Sequence, residues 1–134
     1  MERRVLRRPQ HVLIADDSED LRALWRAVLT HWGFTVDEAS NGLEALQRAR
    51  ARRPDLILMD CWMPILDGLS ATAQLRADPG LSKVPVLAIS AAAMSHSGKQ
   101  AAMDAGCDTF VHKPLLPEQL IHQVRLLLRQ GRGE

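Results

Sequence analysis

Two adjacent carboxylates at Asp16 and Asp17, a third at Asp60, a hydroxyl at Ser90 and an amine at Lys113 each stand at or just past the end of a short apolar run. The run Leu56 to Met59, bounded by Pro54 on one side and by Met63-Pro64 and Asp67-Gly68 on the other, fits a strand buried on both faces of a parallel sheet. In open α/β sheets ligands bind beyond the carboxyl ends of the strands, so a polar residue leaving the core there is a site candidate. Taken alone, Asp60 is explained as well by an aspartate that starts a turn. The same pattern at the other strand ends favours a site.

If the first and third strands are neighbours, the three carboxylates converge. Two charges about 4 Å apart repel by about 4 kcal/mol at an effective dielectric of about 20, so such a cluster needs a cation. An all-oxygen donor set without His or Cys suits Mg²⁺, which keeps several waters and prefers a few carboxylates plus phosphate oxygens. Three Asp, one Lys and one Mg²⁺ cancel in charge, which lets a phosphoryl group approach. Carboxylates form aspartyl phosphates, and phosphoryl transfer needs mainly in-line positioning with cations on the equatorial oxygens. On this reading Asp60 is the nucleophile, Asp16 and Asp17 hold the metal, and Lys113 and Ser90 receive the phosphoryl oxygens.

The elements that must position these residues alternate strand and helix. His11 to Ala15 predicts a first strand, and Ser18 an N-cap with Glu19 and Asp20 at the positive helix end. Leu21, Leu24, Trp25, Val28, Leu29 and Trp32 form a helical stripe, which puts both Trp residues in the core, and Gly33 stops the helix. Phe34 to Ala39 reads as the second strand and Leu43 to Arg52 as the second helix, ended by Pro54. A helix over Leu69 to Ala77 precedes the breaker Asp78-Pro79-Gly80 and a fourth strand over Val84 to Ile89. Ser95 to Ala105 has few large apolar residues, so it should bury little and move easily. Thr109 to Val111 is a fifth strand, and Pro117 and Glu118 open a last helix with the stripe Leu120, Ile121, Val124, Leu127 and Leu128. The alternation predicts a three-layer α/β fold around a five-stranded parallel sheet, with all strand carboxyl ends along one edge. Residues 1–9 read as a flexible basic arm, 10–130 as the folded domain and 131–134 as a frayed tail.

At 134 residues there is room for one domain. Seventeen Lys and Arg against sixteen Asp and Glu leave a formal charge of +1, which argues against nucleic-acid binding by bulk electrostatics. Arginines do cluster, at positions 3, 4, 7 and 8 and again at 48, 50, 52 and 53; they read as solvated surface and helix-end charge rather than as a phosphate-binding patch. Cys61 and Cys107 lack metal-ligand spacing, which favours a reducing, cytoplasmic setting. The apolar run near the N-terminus is too short for a leader or a membrane span. Cys61 and His112, although beside key residues, read as packing and surface, and His11, His31, His96 and His122 are too scattered to suggest a phosphohistidine.

The stretches VLIADDSED, LILMDCWMPILDG, VPVLAIS and FVHKP, in this order, resemble the motifs of response-regulator receiver domains, and the resemblance spans about Val12 to Arg129. It implies a flavodoxin-like, CheY-like (βα)5 fold with strand order 2-1-3-4-5, an order taken from the family. It implies that Asp60 accepts a phosphoryl group from a phosphohistidine on a histidine kinase or histidine phosphotransfer protein, or from a small acyl phosphate. Asp17 and Asp60 would bind Mg²⁺ directly, Asp16 through water and Trp62 through its backbone carbonyl. Ser90 matches the switch hydroxyl and Phe110 the switch aromatic, and Lys113-Pro114 would be cis. Phosphorylation would draw Ser90 inward, let Phe110 turn in, and reshape a docking face for a downstream protein made of the fourth helix, fifth strand and fifth helix. Trp62 and Ala92 match positions that tune phosphoryl lifetime. Such a domain assists its own phosphorylation and dephosphorylation without being a classical enzyme. MDCWMP and the Ala91 to Met94 stretch resemble receivers of hybrid kinases and phosphorelays. A constitutive, non-phosphorylated interaction module is the alternative, and the complete set Asp16, Asp17, Asp60, Ser90 and Lys113 speaks against it. An aspartyl-nucleophile phosphatase would need a second Asp where Trp62 stands, and a flavodoxin-like cofactor binder would need a Gly-rich loop after the first strand.

Overall fold

The computed structural model describes residues 8–91 and 96–130, the side chains of residues 96 and 97 excepted. Most of the basic arm (1–7), the tail (131–134) and Ala92 lie outside the described residues. The elements run β1 (His11–Ala15), α1 (Glu19–His31), β2 (Thr35–Ala39), α2 (Gly42–Ala51), β3 (Leu56–Asp60), α3 (Gly68–Ala77), β4 (Val86–Ser90), α4 (His96–Ala105), β5 (Thr109–His112) and α5 (Pro117–Gln130). The strands form one parallel flavodoxin-like sheet in the order β2-β1-β3-β4-β5.

Strands β1, β3 and β4 are buried along their whole length, as near-continuous apolar runs require when helices cover both faces. The edge strands β2 and β5 are only partly covered. Alternate side chains divide the interior into two cores. Leu13, Ile57, Met59 and Ala88 pack with Leu46 of α2, Leu75 of α3 and Ala102 of α4. On the other face Ile14, Leu58, Leu87 and Ile89 meet Trp25 and Leu29 of α1 and Leu120 and Val124 of α5. Among the described residues no helix is long and apolar enough to cross a membrane.

Local chemistry sets the element ends. Ser18 caps α1 by accepting from the Leu21 N–H, Asn41 caps α2 through Glu44, and Asp67 caps α3 through Ser70. Gly33, at φ +94°, takes the left-handed turn that ends α1. Pro85 stays outside β4: without an N–H it only accepts, from Ile57, and the strand runs from Val86 to include Ser90. One expectation about packing fails. Trp25 is 2% exposed, as read, but Trp32 is 49% exposed, because it is the C-cap residue of α1 and has rolled off the buried face. Its ring instead carries the Arg125 guanidinium of α5, 4.5 Å from the centroid. Leu24, also read as a stripe residue of α1, is 45% exposed, so the buried stripe of α1 is narrower than its spacing suggested.

Candidate functional site

Asp60 is the last residue of β3, and Asp16 and Asp17 follow β1 directly. These strands are paired neighbours, with Ala15 opposite Met59, so the three carboxylates meet at one edge of the sheet. One oxygen from each of Asp16, Asp17 and Asp60 lies within 4.8 Å of the others. Asp16 and Asp60 are buried and Asp17 is exposed, which opens the cluster to solvent on one side. Asp16 is fixed by three bonds: its Oδ1 accepts from the Ser18 N–H at 2.8 Å, its N–H donates to the Ala39 carbonyl, and its carbonyl accepts from Arg22 Nη1 at 2.8 Å.

The cation in this cluster is Lys113. Its Nζ donates to Asp16 Oδ2 at 3.1 Å and lies 3.6 Å from Asp60 Oδ1. Burial pushes the Asp60 carboxyl up to about 6, and Asp16 adds to the shift, while Lys113 and the Trp62 N–H, 3.4 Å from Asp60 Oδ1, oppose it. The site is therefore short of positive charge. An all-oxygen donor set with one side open to water fits Mg²⁺, which Asp17 and Asp60 would hold with Asp16 nearby.

Ser90 ends β4, opposite His112 of β5. It is fully buried; its Oγ lies beside the Cys61 thiol and makes no hydrogen bond of normal geometry among the described residues. An unsatisfied buried hydroxyl beside a charged cluster is a donor held in reserve. Lys113 is tied to Ser90 through the backbone, its N–H donating to the Ser90 carbonyl at 2.6 Å, and the Lys113-Pro114 bond is cis. Phe110 is half-buried, with its ring edge-on to exposed His112 at 5.1 Å between centroids. Burial pushes the Cys61 thiol up to about 12, with Cys107 and Asp60 adding, so this cysteine stays a protonated packing group.

The loop from β3 to α3 carries features that residue types do not announce. A Cβ on Gly68 would overlap the Asp60 carbonyl, so only glycine lets α3 start against the strand end. Ile65, in the same loop, has φ +70° and is 78% exposed, a strained conformation for a β-branched residue. Exposed Trp62 stands on the same loop.

The response regulator receiver domain model matches residues 12–125. The polar-differentiation response regulator DivK of Brucella anthropi is 36% identical over 120 residues, covering 90% of this chain and 97% of that protein. Response regulator MprA of Mycobacterium ulcerans is 37% identical over 123 residues; these cover 92% of this chain, which spans only about half of MprA (52%). Among solved structures, the receiver domain of sensor histidine kinase PA1611 from Pseudomonas aeruginosa, with a magnesium ion in its active-site cleft, superposes with a TM-score of 0.83 at 30% identity, covering 91% of this chain and 99% of that one. Chemotaxis protein CheY4 of Vibrio cholerae gives 0.84 at 28% identity over 89% and 98% of the two chains. With a family match that runs from β1 into α5 and gathers the acidic cluster, Ser90 and Lys113 on one sheet edge, the chain belongs to the response regulator receiver domains of two-component signalling.

Proposed function

We propose that Asp60 accepts a phosphoryl group from a phosphohistidine on a histidine kinase or histidine phosphotransfer protein, and that the modified domain switches a protein-docking face. The observation that carries this reading is the convergence of Asp16, Asp17 and Asp60 within 4.8 Å, with the Lys113 amine reaching Asp16 and Asp60. An ionised Asp60 oxygen attacks phosphorus; the P–N bond breaks, its electron pair returns to the donor imidazole, which takes up a proton, and Asp60 becomes an acyl phosphate. Mg²⁺, held by Asp17, Asp60 and the Trp62 carbonyl and reached by Asp16 through water, would neutralise charge on the phosphoryl oxygens. Lys113 exchanges its bond with Asp16 for a phosphoryl oxygen, and the Ser90 hydroxyl, without a hydrogen bond of normal geometry beforehand, donates to another. Ser90 moving inward gives Phe110 room to turn, which alters the surface formed by α4, β5 and α5. The same groups then position water for hydrolysis of the acyl phosphate. Two free buried cysteines fit a cytoplasmic setting.

Intact-mass measurement after incubation with acetyl phosphate tests this. One Mg²⁺-dependent phosphoryl adduct is expected on the wild type and none on Asp60→Asn. No adduct, together with Trp fluorescence unmoved by beryllofluoride, would instead favour a constitutive docking module with a receiver fold.

A further inference from the structure

The amino-terminal edge of the sheet, opposite the acidic cluster, collects the other notable charge in the chain. Arg8, just before β1, and Arg52 and Arg53, just after α2, line a single cavity of about 410 Å³ with His11, Thr35 and Asp55. Its volume lies within the range of small-molecule sites. Four other arginines are matched to acids: Arg22 and Arg26 pair with Glu38, Arg50 with Asp78 and Arg76 with Asp108. Among the described residues no carboxylate pairs with Arg8, Arg52 or Arg53. Three arginines therefore line one concavity against a single carboxylate, Asp55, among its described lining residues.

The walls are held in place. His11 is 4% exposed; its Nε2 is hydrogen-bonded to Asp37 at 2.9 Å and its Nδ1 to the Thr35 hydroxyl at 2.7 Å. Arg52 Nη2 donates to Thr35 Oγ1 at 3.4 Å, and Arg53 Nε donates to the Gly80 carbonyl at 3.2 Å, which leaves both Nη groups of Arg53 unspent. Asp55 accepts the His11 backbone N–H through Oδ2 at 2.7 Å, and its other oxygen is open to a donor. Guanidinium forks match the oxygens of a phosphate group, and a carboxylate beside them accepts from hydroxyls. The cavity is larger than a bare phosphate needs. We infer that the amino-terminal edge of the sheet binds a small phosphorylated polyol such as a sugar phosphate, with its phosphate on Arg8, Arg52 and Arg53 and a hydroxyl on Asp55.

The test is titration of the full isotope-labelled chain with ribose 5-phosphate in EDTA, which keeps metal from the acidic cluster, while amide shifts at His11, Thr35 and Asp55 are followed. Saturable shifts with a Kd below about 1 mM are expected, with affinity falling about tenfold in Arg52→Gln and again in Arg53→Gln. Arg48→Gln and Arg129→Gln, which remove arginines outside the cavity, should leave affinity within about twofold. Loss of affinity in those controls as large as in Arg52→Gln would mean diffuse attraction and overturn the site. So would equal binding of unphosphorylated ribose, or shifts produced by a short oligonucleotide but not by ribose 5-phosphate.

Discussion

At Asp60 the sign of the pKa shift sets a stability prediction. The folded value, about 6, exceeds the ordinary 3.8, so the folded state keeps this proton longer than the unfolded chain does. Ionising Asp60 therefore destabilises the metal-free fold progressively as pH rises from 3.8 through about 6. Asp60→Asn, which resembles the protonated side chain, is expected to raise unfolding free energy at pH 7.5 in EDTA by about 2 kcal/mol, with the gain shrinking towards pH 4. Urea unfolding at the two pH values measures it, and an equal gain at both would rule the burial explanation out. Ser90 makes a complementary prediction. Because its buried Oγ makes no hydrogen bond of normal geometry, Ser90→Ala should leave the unmodified fold within about 0.5 kcal/mol of wild type or more stable, yet slow labelling by acetyl phosphate at least about tenfold. Asp16, Asp17, Asp60, Ser90 and Lys113 were all legible as strand-end residues, since an apolar run that stops at a polar group reveals which way the group emerges. That Lys113 bonds Asp16 more closely than it approaches Asp60 was not, because reach between side chains from strands far apart in sequence depends on packing.

The helices and loops carry their own tests. Ile65, at φ +70° and exposed, gains nothing from burial to offset its strained backbone. Ile65→Asn, which tolerates that region better, should stabilise the domain by about 0.5 to 1 kcal/mol in urea unfolding, and a loss would show that the Ile side chain makes contacts worth more than the strain. Arg76 of α3 donates to the carbonyls of Gly106, Ser82 and Val84 and to Asp108, whose Oδ2 also accepts the Val86 N–H, so one side chain fastens α3 to the segments that lead into β4 and β5. Arg76→Met removes its bonds to the Gly106, Ser82 and Val84 carbonyls and to Asp108 together, and should cost about 3 kcal/mol in urea unfolding; a cost below about 1 kcal/mol would show that these bonds are replaced by water without loss. The sequence announced α3 by its cap and its breaker, and every element was expected within a few residues of where it lies. It did not announce Arg76, which looks like any helix-end arginine, nor the tight seat of Gly68 against Asp60. Trp32 was misplaced because periodicity cannot say where a helix ends within its last turn.

For the molecule as a whole, the two cores are unequally fastened. Helices α1 and α5 bury Trp25, Leu29, Leu120, Ile121, Val124 and Leu127 on one face of the sheet. On the other face α4 gives the core a single buried side chain among its described residues, Ala102, while Met103 is exposed. Since apolar burial contributes roughly 25 cal/mol per Å², an alanine anchors a helix far more weakly than a row of leucines. The order of the strands was not legible from patterning and came from the family resemblance, whereas the weakness of α4 was, because a helix without large apolar residues cannot bury much wherever it is placed. Native-state amide exchange should therefore show α4 amides from 99 to 105 opening at lower free energy than those of α1 and α5, by several kcal/mol, through a local event that leaves the sheet protected. Addition of beryllofluoride and Mg²⁺ should then change protection in α4 and β5 more than in α1, since the element closest to opening is the one that a small rearrangement at Ser90 and Phe110 can move. Equal protection of α4 and α5 before addition would refute the unequal fastening, and protection changes spread evenly over both faces would place the switch elsewhere.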